Sequence, residues 1–168
     1  MGDLLQPAPY HRERGADRRS LGCWPRCRHT CEMSQKRPDG GYHLEEVQGL
    51  ALTEIKLNGL VVLTFGEGEE TMLHIERDFT VWTLLNSEGA KVEFRPYLSD
   101  WAPSGMQELV QLYRSVVVEA EADPDASLSS AFTNGNRLHV EPDPQYEAWG
   151  FWFPDGGWLG QPAGSGFT

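Results

Sequence analysis

Two short stretches each pair a histidine with a carboxylate two residues on: His74 with Glu76, and His139 with Glu141. Alternate side chains of an extended strand share a face, so each His and Glu would stand side by side. Imidazole and carboxylate together form a donor set that zinc or a similar ion accepts. If the two stretches face one another, two His and two Glu converge on one ion. Otherwise they are the wet sides of two amphipathic strands, which alternation alone requires. A second group follows His139 directly: Asp143, Tyr146, Glu147, Trp152 and Trp158. Alternation sets Glu147 on one face with Trp149, Phe151 and Phe153, and a carboxylate among aromatics is partnered, raised in pKa or part of a site. Tyr146 and Trp152 fall on the opposite face. With Trp158 they form either an aromatic patch of the kind that partner surfaces use, or core.

No catalytic constellation accompanies these residues. The chain has no phosphate-binding G-x-x-x-x-G-K, no G-x-S-x-G elbow, no H-E-x-x-H and no calcium loop. The Gly-rich pieces at 66–70 and 164–167 lack the strand-to-helix setting of a phosphate cradle. Cys23, Cys27 and Cys31 form C-x3-C-x3-C around His29, but Pro25 interrupts the first interval, and zinc and cluster sites favour two-residue gaps. Without that piece the chain has no cysteine, which excludes disulfides and thiol catalysis from the rest. No cofactor is expected, and no catalytic motif points to an enzymatic activity.

The elements that must position these residues come as a repeat. Leu73 to Ala90 reads LHIERDFTVWTLLNSEGA, and Leu138 to Gly157 reads LHVEPDPQYEAWGFWFPDGG. A two-residue gap after the Asp aligns Leu73, His74, Glu76, Asp78, Trp82 and Gly89 with Leu138, His139, Glu141, Asp143, Trp149 and Gly156. Such self-similarity predicts a duplicated unit, with repeats at about 50–95 and 115–160 related by a pseudo-twofold axis. Trp82 and Trp149 would then plug equivalent holes in a shared core.

Along the chain, Leu52 to Leu57, Asn58-Gly59 and Leu60 to Phe65 read as a hairpin with a type I′ turn. Leu73 and Ile75 alternate with His74 and Glu76 as a half-buried strand. Phe79 to Leu85 is apolar on both faces and reads as a covered strand, followed by a turn at 86–89 and a strand at 91–95. Ser104-Gly105-Met106-Gln107 is a capping-box signature. It opens a helix over 104–114 with Met106, Leu109 and Tyr113 on its core face. Strands follow at 115–122, 128–133 and 137–140, with turns at Asp123-Pro124-Asp125 and Asn134-Gly135. Tyr146 to Phe153 is then the twin of Phe79 to Leu85.

Residues 1–46 are rich in Arg, Pro, Gly and Ser, show no apolar period, and read as a disordered tail. Residues 1–32 also read as an over-extended start, with Met33 the alternative first residue. A single β-rich domain is expected over 47–160 and a frayed end over 161–168. Residues 1–40 hold eight of the 14 Lys and Arg and five of the 25 Asp and Glu, which leaves residues 41–168 a net charge of −14. A body so acidic repels phosphate backbones and anionic lipid, so nucleic-acid and membrane roles are not expected; it suits a basic partner, or serves solubility alone. No signal sequence or membrane span is visible, and a cytoplasmic location is expected.

The motif LHVEPDPQYEAW, closed by a Gly-Gly turn, resembles the marker of a family of small uncharacterised bacterial proteins, many of them actinobacterial. Leu138, Val140, Pro142, Asp143, Tyr146, Glu147, Ala148 and Trp149 carry the likeness, with Phe132 and Gly135 upstream, and it spans about 50–160. The resemblance implies no activity and no catalytic residues. Gln161-Pro162-Ala163-Gly164 departs from the family's Pro-Gly-Gly ending. The sequence as a whole predicts a mainly β (α+β) fold: two pseudo-repeated antiparallel meanders and one intervening helix. The function expected is a non-enzymatic, acidic protein-binding module, for example an immunity-type inhibitor of a basic toxin. The alternative is a small-molecule or metal-binding domain using the His74/Glu76/His139/Glu141 face. The sequence does not fix the oligomeric state.

Overall fold

Alternating apolar residues with few helix formers drive this chain into strands, which a computed structural model describes for residues 35–57, 59–68, 70–93 and 104–161. The three cysteines, His29, Met33, Asn58, the end of the strand expected at 91–95, and residues 162–168 lie outside them. Among the described residues twelve strands run in chain order: β1 (Gln35–Lys36), β2 (Tyr42–His43), β3 (Leu52–Leu57), β4 (Val61–Phe65), β5 (Thr71–Ile75), β6 (Phe79–Thr83), β7 (Asn86–Val92), β8 (Val117–Ala122), β9 (Leu128–Phe132), β10 (Arg137–Val140), β11 (Trp149–Trp152) and β12 (Trp158–Gly160). A 3-10 turn covers Glu45–Val47, and a short helix, α1 (Met106–Val110), lies between the copies. The fold is mainly β, as expected.

The strands form two antiparallel sheets, ordered β1-β2-β8-β9-β10-β6-β7 and β12-β11-β5-β4-β3. This arrangement is a duplication with exchanged ends. In the first copy β3, β4 and β5 build the five-stranded sheet, and the chain then crosses to give β6 and β7 to the other sheet. The second copy does the reverse: β8, β9 and β10 lie in the seven-stranded sheet, while β11 and β12 return to the first. The pairing of β10 with β6 is thus the counterpart of β5 with β11. The copies also share a β-bulge, between Leu52 and Glu54 in β3 and between Val117 and Glu119 in β8. At the axis, Ala51 bridges Val116; Leu52 N–H donates to Ser115 O (2.9 Å) and Val117 N–H to Leu50 O (2.9 Å), each bond the image of the other.

The ladders correct the alignment that the tryptophans suggested. Leu138 pairs with Val81, and Leu73 with Phe151. Val81 therefore corresponds to Phe151, Trp82 to Trp152, and Phe79 to Trp149. The gap between copies is five residues, because Glu141–Ala148 replaces the three-residue link Glu76–Asp78. Trp82 and Trp149 accordingly sit in different settings. Trp149 is buried in the core, whereas Trp82 is half-buried on an outer face. Two identical residues outweighed a longer, proline-held loop in the sequence comparison.

Other expectations shift for local reasons. Leu84 and Leu85 form the two-residue turn of the β6–β7 hairpin, where Thr83 pairs with Asn86, and both leucines are exposed. Leu57 pairs with Val61, so three residues join β3 to β4 rather than two. Helix α1 begins at Met106 with Gly105 (φ 78°) at its N-cap, a residue with no side chain to cap it; Ser104 Oγ donates to Lys91 O instead (3.3 Å). Its buried face is Leu109 with Leu112, and Met106 packs beside it, while Tyr113 is exposed. Described elements also precede residue 47, the expected start of the domain. Leu44 and Val47 bury fully against β8, with Leu44 N–H donating to Ala120 O (2.9 Å). A lone pair of apolar residues carries no period for sequence reasoning to detect.

Inward side chains of both sheets make one core, in which Trp149, Phe151, Leu63, Leu73, Ile75, Leu128 and Leu138 are buried. Trp149 also ties the two sheets together, since its Nε1–H donates to Ala126 O (2.8 Å) in the β8–β9 turn.

Candidate functional site

Strand alternation that buries Leu73, Ile75, Leu138 and Val140 turns His74 and His139 outward, each on its own sheet. The two histidines therefore do not converge, and the His74/Glu76/His139/Glu141 set is split between two outer faces. Among the described residues no cluster of three or more His, Cys, Asp or Glu side chains is placed to hold a metal.

What the duplication does produce is two equivalent His–Trp pairs. On the five-stranded sheet the rings of His74 and Trp152 lie 6.3 Å apart; on the seven-stranded sheet those of His139 and Trp82 also lie 6.3 Å apart. Glu76 and Glu141 follow the two histidines at the same offset.

The surroundings of the two pairs differ. Across the five-stranded sheet, His74, Gly150 and Gly160 form one outward row, and Met72, Trp152 and Trp158 the next. The Trp158 ring lies back over the two glycines: a Cβ on Gly150 would come within 2.9 Å of its Nε1, and one on Gly160 within 2.3 Å of its ring. Trp152 meets Trp158 edge-on with ring centres 6.5 Å apart. His74, Trp152 and Trp158 so border a notch of about 160 Å³, which Trp149, Gly150, Glu76 and Glu147 also line. Trp152 and Trp158 keep 44% and 41% of their surface exposed, a large share for indoles.

On the seven-stranded sheet the place of Trp158 is taken by Gly89, and that of Gly150 by Thr80. Trp82 leans across Gly89, whose φ is 84° and on which a Cβ would come within 2.6 Å of Trp82 Nε1, so there is no room for a side chain. The result is a broad depression of about 790 Å³ lined by Trp82, Ser129, Arg137, His139, Glu119 and Glu141. Within it Ser129 Oγ lies 2.9 Å from His139 Nδ1, and His139 Nε2 3.2 Å from Glu141 Oε1. The order Ser–His–Glu is that of a hydrolytic triad. The setting is not, because Ser129 sits in mid-ladder between β8 and β10, where backbone N–H groups are engaged in pairing rather than aimed at an oxyanion.

The loop Glu141–Ala148 accounts for the remaining predicted residues. Asp143 organises it: Oδ1 accepts the N–H groups of Gln145 (2.8 Å) and Tyr146 (3.1 Å), and Arg77 Nη1 lies 3.4 Å from Oδ2 while donating to Pro142 O (2.6 Å). The Gln145 and Tyr146 N–H bonds, with Arg77 nearby, hold the Asp143 carboxyl below its ordinary pKa. Asp143 is thus a turn-forming residue. Tyr146 is 70% exposed at the loop's crest, apart from the residues that line the notch. Glu147 is exposed at the notch rim, not among Trp149, Phe151 and Phe153, which turn inward because β11 starts only at Trp149.

Gln161, placed by the sequence in a frayed end, is 1% exposed and clamps the same loop. Its Oε1 accepts from Asp143 N–H (3.1 Å) and Ala148 N–H (2.9 Å), and its Nε2 donates to Asp143 O (2.6 Å). Nothing local in QPAGSGFT signals this role, which depends on a loop 13–18 residues upstream. Ser129 was missed for a related reason, since its partner is a cross-strand neighbour.

No helix among the described residues is long and apolar enough to cross a membrane. No curated protein and no solved structure is detectably similar to the chain. One family profile is, and it matches residues 43–165, which takes in both copies, both outer faces and the loop between β10 and β11. The chain belongs to that family, a family of unknown function designated DUF6188.

Proposed function

We propose that this domain is a protein-binding module that docks a basic partner on the outer face of its five-stranded sheet. The observation that carries the reading is the placement of two exposed tryptophans, Trp152 and Trp158, beside the carboxylates of Glu76 and Glu147. Exposed indoles are the side chains that contribute most at protein interfaces, and they cost little conformational entropy to fix. Residues 41–168 carry a net charge of −14, which speeds encounter with a cationic surface. An immunity-type inhibitor of a basic toxin or nuclease is one concrete form, since it needs no cofactor and no catalytic residue.

The test is a titration with a fluorescent lysine- and arginine-rich peptide, at low and at high salt. Binding should weaken with salt and fall about tenfold or more in the Trp152→Ala/Trp158→Ala double variant, as for loss of an interface anchor. Equal binding by the double variant would mean that the peptide senses net charge alone, and the docking face would be wrong.

A second reading has its own observation. The depression over Trp82, Ser129, His139 and Glu141 is large enough for a small polar molecule and offers an aromatic wall with a hydrogen-bonding array. A small-molecule ligand there would raise the melting temperature of the parent protein but not that of His139→Ala.

A further inference from the structure

We infer that the notch between His74, Trp152 and Trp158 receives the cationic end of one lysine or arginine side chain of the partner; this rests on the protein-binding reading above. Aromatic faces are the negative pole of the ring quadrupole and attract ammonium and guanidinium groups. Here the rings of His74, Trp152 and Trp158 border one recess of about 160 Å³, Glu76 and Glu147 also line it, and among the described residues no lysine or arginine does. An anion would stand against the two carboxylates, and a neutral apolar group would forgo them. A compact cation on an apolar stem suits both, with its methylenes against the indoles and its charge toward Glu76 and Glu147.

The two copies act as an internal control. His74, Trp152 and Glu76 have counterparts in His139, Trp82 and Glu141, so that set is tied to the shared strand pattern. The residues that turn it into an enclosed notch are present on one side only. Gly150 stands where the other sheet has Thr80, and Trp158 where it has Gly89. Glu147 lies in the loop that is five residues longer in the second copy. The other face folds into the same ladder without any of the three. Sheet formation therefore does not demand them, and their joint effect is to wall and charge one recess.

The experiment follows the indole N–H signals of the full chain by two-dimensional NMR during titration with N-acetyl-lysinamide, N-acetyl-argininamide and neutral N-acetyl-norleucinamide. The cationic amides should bind in the millimolar range and shift the Trp152 and Trp158 signals. The Trp82 signal, on the outer face of the other sheet, should stay still. Glu147→Gln and Glu76→Gln should each weaken binding by about two- to five-fold, the loss expected of one exposed charge beside a bound cation. Equal shifts with norleucinamide, or none with any amide, would overturn the inference. The docking face is judged separately: a basic peptide that still binds through Trp152 and Trp158 upholds it even if the single amides fail. Amides that bind where the peptide does not would leave the notch as a cation site and remove the protein partner.

Discussion

Replacing Trp149 should be among the most damaging changes open to this protein, and replacing Trp82 should not. Trp149 is 1% exposed, meets Phe151 edge-on at 6.2 Å, and donates its Nε1–H to the Ala126 carbonyl at 2.8 Å. Truncation of a buried Trp to Ala costs about 3–5 kcal/mol through lost transfer energy and the cavity left behind. Trp149→Phe separates the parts: most of the ring stays, while a buried carbonyl loses its donor, at a cost of about 1–3 kcal/mol. For a domain of this size that is a fall in melting temperature on the order of 10 °C. Trp82 lies half-buried on an outer face, and Trp82→Ala should cost about 1–2 kcal/mol, within the ordinary range for a partly exposed side chain. Urea unfolding followed by far-UV circular dichroism, with the slope m checked for constancy, gives each value. Equal losses for Trp149→Ala and Trp82→Ala would show the two to be equivalent after all, and the correspondence of Trp82 with Trp152 between the copies would fall.

Gln161→Ala should destabilise by about 2–4 kcal/mol, because it strands two backbone donors and one acceptor of the Asp143–Ala148 loop; limited proteolysis should then cut within that loop first. Asp143 has a folded-state pKa held below the ordinary 3.8 by its turn hydrogen bonds, so its contribution is present above that value and is lost as pH falls through the lower, folded value. Melting curves taken across the acid range should therefore fall less steeply for Asp143→Asn than for the parent, and parallel curves would count against the turn role. Gly89→Ala should cost about 1–3 kcal/mol in the same urea assay, since it forces a side chain into a left-handed backbone and against the Trp82 ring. Because each copy completes the other's sheet, tryptophan fluorescence and circular dichroism should report one coincident transition; two separate steps would mean that the copies fold as independent units.

The repeat could be read from the sequence because duplication preserves what both sheets need: outward His and Glu between inward Leu and Ile or Val. The hairpins were readable for a similar reason, since Asn-Gly dipeptides act locally. Register across the crossing was not readable. It depends on how many residues leave one sheet and enter the other, and the longer loop Glu141–Ala148 is held by Gln161 and Arg77, both distant in sequence. The Leu84-Leu85 corner was hidden as well, because two leucines at the tip of a hairpin look like the continuation of a strand. Exchange of strands between the copies cannot be seen in any window of residues. It emerges only when β5 meets β11 and β10 meets β6.

For the candidate site, residue types were legible and company was not. Trp152 and Trp158 stand out in the sequence, yet only the ladder shows that Gly150 and Gly160 leave room for the Trp158 indole, edge-on to Trp152. His74 and His139 look like a shared metal set for as long as the copies are imagined face to face. Once each sheet is built from parts of both copies, the strands that carry them turn their apolar sides inward, and the histidines must point away from one another. The same symmetry that removes a joint metal site creates two separate outer faces. Trp158 on one side and Gly89 on the other then make one face a small acidic, aromatic recess and the other an open hollow. The chemistry each face can accept is set at those two positions, which the sequence alignment by tryptophans did not match to one another.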